Sequence, residues 1–306
     1  MAQVHLFLMV LPIVSFVVSS SVTTGYYEHP RRLLEHIGVP SFNSTSKVTH
    51  RGSKLRASSH QEVDEIDHVC GYQSSVATYY GVIATMDVYT FQNLKESERI
   101  LAQIWVVDDT EQTQLTSGWE VNPSRYGDSK THFFVDWTIN EKDGCPNLLC
   151  AGFVPVNSST ITPGDILEPS SGQSRITLKI FKSKEDGNWW LHFGTDTKNL
   201  KPVGYWPKGI IIKLLDHASF IQWAGVTFSY NGEISPPMGN GQWPRSSSAA
   251  SFRNVQYVDV NGHGYDPSWD SLHAVETHRE CYRTGVFRME VEGNMFYYGG
   301  PGGCTS

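Results

Sequence analysis

The chain has 306 residues and a formal net charge of −7, from 24 Lys and Arg against 31 Asp and Glu. An acidic balance without a basic block argues against a nucleic-acid partner, which demands a basic face. The length left after a short leader fits one large β domain or two small ones.

Residues 1–20 run from Met1 through an uncharged apolar core to Ser19 and Ser20. A short apolar core followed by small residues reads as a signal peptide, cleaved before Ser21. The apolar run is shorter than the roughly 20 residues a spanning helix needs, so no membrane association is expected after cleavage and the mature protein is expected to be secreted. Residues 21–62 are polar and irregular, with Arg31-Arg32 and Asn43-Ser44-Thr45-Ser46, and read as a flexible leader or pro-segment remnant.

From residue 63 to 306 the pattern is that of a single β domain. Over 131–139, Phe133, Val135, Trp137 and Ile139 alternate with His132, Phe134, Asp136 and Thr138. A period of two marks a strand with one face buried. Residues 175–181 repeat it, with Ile176, Leu178 and Ile180 against Thr177 and Lys179. Further strands are expected over 81–91, 100–107, 189–194, 219–229, 252–260, 286–290 and 295–298. Many short strands separated by Gly, Pro, Asn and Asp predict an antiparallel β-sandwich of two large sheets. Only 208–218, after Pro207, reads as a helix.

The five cysteines are Cys70, Cys145, Cys150, Cys281 and Cys304. In a secreted chain four of them make two bridges. Pro146 and Asn147 favour a turn between Cys145 and Cys150, but spacing alone allows several pairings. Asn43 and Asn157 each open an N-x-[ST] sequon and are expected to carry glycans in a secreted protein.

Several segments together resemble one family. They are Gly118-Trp119-Glu120-Val121-Asn122-Pro123, Tyr126-Gly127-Asp128, Cys145-Pro146-Asn147-Leu148-Leu149-Cys150, Asn188-Trp189-Trp190-Leu191-His192-Phe193-Gly194, Val203-Gly204-Tyr205-Trp206-Pro207 and Tyr298-Gly299-Gly300-Pro301-Gly302-Gly303-Cys304. In this order they resemble the neprosin family, plant secreted glutamic peptidases. The resemblance implies a β-sandwich and an acid-active endopeptidase cutting beside proline. It also implies a pair of glutamates in a cleft across one sheet, and no cofactor or metal. For the cysteines it implies Cys145–Cys150 and Cys281–Cys304, with Cys70 left over.

Two carboxylates cleave a peptide when one is ionised and activates water while the other is protonated and donates to the amide, and close like charges push their pKa values apart to give these roles. The resemblance puts the family's first glutamate at Thr116 and its second at Gln222. Neither residue titrates usefully, so the chain is expected to be a catalytically impaired relative that keeps a cleft for peptides or proline-rich proteins. Glu120 is the possible substitute. Four residues beyond Thr116, it shares that residue's strand face but lies some 13 Å along it. A Glu120–Gln222 pair would resemble the Glu–Gln dyad of the eqolisin peptidases. The alternatives are thus an active acid endopeptidase working through Glu120, or a sandwich that binds cell-wall carbohydrate or glycoprotein.

Of the aromatic residues, Trp119, Tyr126, Tyr205, Trp206 and Trp223 are the candidates to line a ligand groove, because aromatic surfaces suit proline-rich chains. His273 and His278 stand five apart and do not make the His-Glu-x-x-His zinc helix. The glycines of 299–303 lack the Lys-Ser/Thr of a phosphate loop, and no Gly-x-Ser-x-Gly elbow occurs.

Overall fold

A computed structural model describes residues 65–305 apart from 93, 111–112, 140–142, 170–173 and 291–292. The expected signal peptide, the leader and Asn43 lie outside the described residues. Among the described residues, strands run in chain order as β1 (Glu65–Ser74), β2 (Gly81–Val88), β3 (Arg99–Val107), β4 (Gln114–Val121), β5 (His132–Ile139), β6 (Asp143–Pro146), β7 (Val154–Pro155), β8 (Ser174–Lys182) and β9 (Trp189–Gly194). They continue as β10 (Lys201–Trp206), β11 (Phe220–Tyr230), β12 (Ala250–Val258), β13 (Gly264–Tyr265), β14 (Leu272–Glu276), β15 (Arg283–Thr284), β16 (Arg288–Glu290) and β17 (Gly293–Gly299).

These strands form two antiparallel sheets. The seven-stranded sheet is ordered β14-β1-β11-β3-β4-β5-β6. The ten-stranded sheet is ordered β15-β17-β12-β2-β8-β9-β10-β7, with β13 on β12 and β16 on β17. The inner faces meet in one core. From the seven-stranded sheet it takes Tyr72, Ile104, Leu115, Trp119, Val135 and Trp223, and from the other Met86, Leu178, Trp189, Trp206, Phe252 and Tyr298. Two indoles tie the layers together, with Trp119 Nε1 donating to Asp87 O at 2.8 Å and Trp223 Nε1 to Ile83 O at 3.3 Å.

The outer face of the seven-stranded sheet carries a second, separate apolar cluster: Val69, Leu101, Trp105, Val107, Phe134, Phe220, Ala224, Val226 and Val275. Both faces of β3, β4 and β11 are therefore buried, which is why β3 after Arg99 reads as an apolar run broken only by Gln103 rather than as an alternation.

Segment 208–218 is not the expected helix. Only a 3₁₀ turn forms, at Ile212–Leu214. The run Ile210-Ile211-Ile212 has poor helix propensity because β-branched side chains lose rotamer freedom against the preceding turn. Burial decides the rest: Ile211, Leu214 and Ala218 are fully buried, and Trp189 Nε1 takes Leu214 O at 2.8 Å. A short helix that the sequence reading does not anticipate, α1 (Pro123–Tyr126), follows β4. Asn122 caps it by accepting from Arg125 N at 3.1 Å, and Gly127 ends it at φ 75°.

The disulfides are Cys145–Cys150 and Cys281–Cys304, and Cys70 is a buried free thiol. No helix among the described residues is long and apolar enough to cross a membrane.

Candidate functional site

The registers of the seven-stranded sheet align one residue from each strand in a row. It reads His273, Gln73, Gln222, Trp105, Thr116, Asp136 and Pro146 from β14 to β6. Cross-strand partners point to the same face, so this row lies across the outer face of the sheet. Strands are about 4.8 Å apart. Gln222 and Thr116, separated by one strand, are thus about 10 Å apart at Cα, with the Trp105 indole between them.

Glu120 lies in a different row, with His132 on one side and Leu101, then Val226, on the other. Two strand spacings and four residue rises place it about 16 Å from Gln222 at Cα. The fold does not bring Glu120 and Gln222 together. The carboxylate it does set beside Thr116 is Asp136, the register partner on β5.

Both carboxylates are held by Arg125 from α1. Its Nη1 forms an ion pair with Glu120 Oε1, and its Nη2 lies 3.1 Å from Asp136 Oδ2. Tyr126 OH donates to Glu120 Oε1 at 2.8 Å and Asn122 Nδ2 to Oε2 at 3.3 Å. Asn147, just past Cys145 and Pro146, donates its backbone N–H to Asp136 Oδ1 at 3.2 Å and its amide to Tyr126 OH at 2.9 Å. Tyr126 also stacks on His132, with ring centroids 3.8 Å apart. Burial, and then the nearby charge of Asp136, push Glu120 up to about 7. Burial also raises Asp136, against the pull of Arg125. The positive charges of Arg125 and Arg99 both favour the ionised carboxylates, but burial outweighs them, so the group retains a proton more readily than exposed acids do.

The central strands offer no acid on this face. On β11 it presents Phe220, Gln222, Ala224, Val226 and Phe228, and on β3 Arg99, Leu101, Gln103, Trp105 and Val107. Thr116 and Gln222 supply a hydroxyl and an amide, groups that bind but do not exchange protons near neutral pH.

The aromatic candidates separate by sheet face. Trp119, Trp206 and Trp223 are fully buried in the sandwich interior, where they fill the core rather than line a groove. Tyr205 sits on the outer face of the ten-stranded sheet beside Trp190, at 4.9 Å, on the opposite side of the molecule from Thr116. Tyr126 is part of the Arg125 network. The aromatic residue that lies in the row is Trp105, which sequence reasoning passed over. The apolar run of β3 hides its face, and only pairing with Thr116 and Gln222 reveals it. Gln73, Arg125 and Asp136 are likewise unforeseen, although the alternation of β5 already sets Asp136 opposite the core. His273 and His278 diverge: His273 Nε2 lies 2.9 Å from Ser75 Oγ, and His278 Nδ1 lies 2.9 Å from His68 Nδ1.

The Neprosin family model matches residues 96–301, two thirds of the sequence. The chain belongs to the Neprosin family. Among solved structures, the chain is similar to scytalido-glutamic peptidase with a peptide-based transition-state analogue, at 13% identity and a TM-score of 0.40, covering 78% of this chain and 100% of that one. It is also similar to SCP-B, a member of the eqolisin family of peptidases in complex with the tripeptide Ala-Ile-His, at 13% identity and a TM-score of 0.38, with the same coverage. The two antiparallel sheets of this Neprosin chain are the fold class the sequence predicts. Its disulfides are compatible with an oxidising compartment.

Proposed function

We propose that this protein is a secreted, catalytically impaired Neprosin-family member that binds peptide or proline-rich protein in a cleft on the outer face of the seven-stranded sheet. The observation that carries this reading is the chemistry of the central strands. β3 and β11 present no carboxylate on that face, Thr116 and Gln222 stand where the family resemblance puts the acids, and Glu120 and Asp136 are both engaged by Arg125. Paired-acid hydrolysis needs one free base and one free acid at the same scissile bond. What remains suits binding: amides, a hydroxyl and the Trp105 ring. Secretion and glycosylation go with this reading, and Asn157 is exposed on the loop after β7.

The test is digestion of a proline-rich peptide by the purified protein from pH 2.5 to 7, with mass-spectrometric readout. No hydrolysis at any pH is expected. Acid-pH cleavage that disappears in Glu120→Gln would overturn the reading and assign the activity to a relocated acid.

A further inference from the structure

Among the described residues, each sheet has two edges, and three of the four are blunted. β6 ends at Pro146 and runs into the Cys145–Cys150 bridge, and β7 is only Val154–Pro155. Along β17 lie only the short β15 and β16, with Arg283, Arg288 and Glu290. Proline, shortness and charge keep an edge from pairing with another chain. The fourth edge is β14, Leu272-His273-Ala274-Val275-Glu276, in unbroken register with β1 and without proline or lysine. Its one carboxylate, Glu276, is taken up by Thr284 N at 2.7 Å and Arg279 Nε at 2.8 Å. The bonds from Ser75 N to Ser271 O and from Thr277 N to Val69 O turn residues 271, 273, 275 and 277 towards β1. By the same alternation the main-chain N–H and C=O of Ala274 point away from β1 to the open edge, and Ala274 is exposed. Apolar side chains flank it. Tyr72, the partner of Ala274, donates from its hydroxyl to Gly285 O at 3.1 Å and accepts from Phe287 N at 3.0 Å, which sets Val286 beside the edge. Trp269 precedes β14, with its ring 6.0 Å from that of Phe287. Val286 is 72% exposed and Trp269 65%.

The two ends of this strand are complementary. Trp269 and Asp270 stand before it and Arg279 after it, and all three are exposed. We propose that β14 pairs antiparallel with β14 of a second copy of this chain, about a two-fold axis at Ala274, and so joins the two seven-stranded sheets into one. Ala274 then exchanges N–H and C=O bonds with its own copy, as one antiparallel pair does. Val286 meets Val286 across the axis, as an isologous contact requires. At each end Arg279 of one copy approaches Asp270 and Trp269 of the other, an ion pair and a cation–π contact. A parallel pair would instead set Arg279 against Arg279 and Asp270 against Asp270. The axis stands perpendicular to the sheet, so the outer faces of both copies look the same way. The Gln222–Thr116 rows then lie on one continuous surface, whatever that surface binds.

The experiment is sedimentation equilibrium of the full-length secreted protein over a wide concentration range. The expected result is a mass that doubles as concentration rises. Ala274→Pro removes the outward N–H at the axis and none of the bonds to β1, and an edge strand accepts proline where its N–H faces solvent. It is expected to weaken dimerisation about tenfold or more while the circular dichroism of the parent is kept. Val286→Asp, at a position exposed in the single chain, sets two like charges at the axis and is expected to weaken dimerisation by about tenfold or more as well. A protein that stays monomeric at every concentration overturns the inference and leaves this edge to a strand of a different protein. A dimer that neither variant weakens overturns it too, because the copies then meet through another surface. Val286→Asp changes no strand residue, so it decides the matter even if Ala274→Pro does not fold.

Discussion

At the residue scale, Arg125 bridges two carboxylates on the outer face, Glu120 and Asp136, and the charge of Arg99 also acts on both. Breaking a buried ion pair from one side strands the other charge and costs about 3–5 kcal/mol. Arg125→Ala is therefore expected to destabilise by that order at pH 7 in urea unfolding. The loss should shrink towards pH 5, because Glu120 and Asp136, already raised, neutralise themselves once the cation is gone. A loss that does not vary with pH would mean that Arg125 acts by packing alone. His68 works in the opposite sense. Fully buried and 2.9 Å from His278, it is held down to about 4, first by burial and then by the charge of His278. The unfolded chain takes up this proton near the ordinary value of 6.5, so between 6.5 and 4 the unfolded state binds more protons and stability falls as the pH drops. Glu120, at about 7 when folded against 4.5, binds more protons when folded and contributes stability that grows as the pH falls across that window. His68→Gln should therefore leave the Glu120 contribution unopposed, so that its melting temperature rises relative to the parent protein as the pH drops from 6.5 to 4.

At the element scale, β11 runs close beneath β17. A Cβ added at Gly225 would fall 2.2 Å from the ring of Tyr298, which has no room to move because it is fully buried. Overpacking of this kind costs about 1–3 kcal/mol. Gly225→Ala should lower the urea midpoint accordingly, and an unchanged midpoint would show that the two sheets separate more easily than their packing implies. Elements also show how far local pattern reaches. β5 and β8 are legible because alternation is a property of consecutive residues. The helix expected over 208–218 fails because three buried side chains and the Trp189 indole outweigh a weak local preference. Helix α1 is only four residues long, too short to show a period, yet Asn122, Pro123 and Gly127 together were a readable cap–start–stop signal.

At the scale of the whole molecule, the two disulfides differ in what they close. Cys281–Cys304 spans 23 residues and ties the C-terminal segment to the turn that follows β14, whereas Cys145–Cys150 spans 5. The loop-entropy relation gives about 3 kcal/mol for the first and about 2 kcal/mol for the second. Replacing Cys281 and Cys304 together by serine should thus cost the larger share in calorimetry, with the order reversed only if native contacts of the short loop outweigh its entropy. By itself the sequence determined the fold class, most of the strands and the family, because alternation, turn residues and ordered motifs are local and survive without knowledge of any partner. Tertiary structure alone decided the site. It sent Trp119 and Trp223 inward and Trp105 outward. It set Asp136 rather than Glu120 beside Thr116, and it placed Gln73 and Gln222 side by side. Strand register decides which residues meet across a sheet, and register comes from long-range pairing whose partners here stand up to about 200 residues apart.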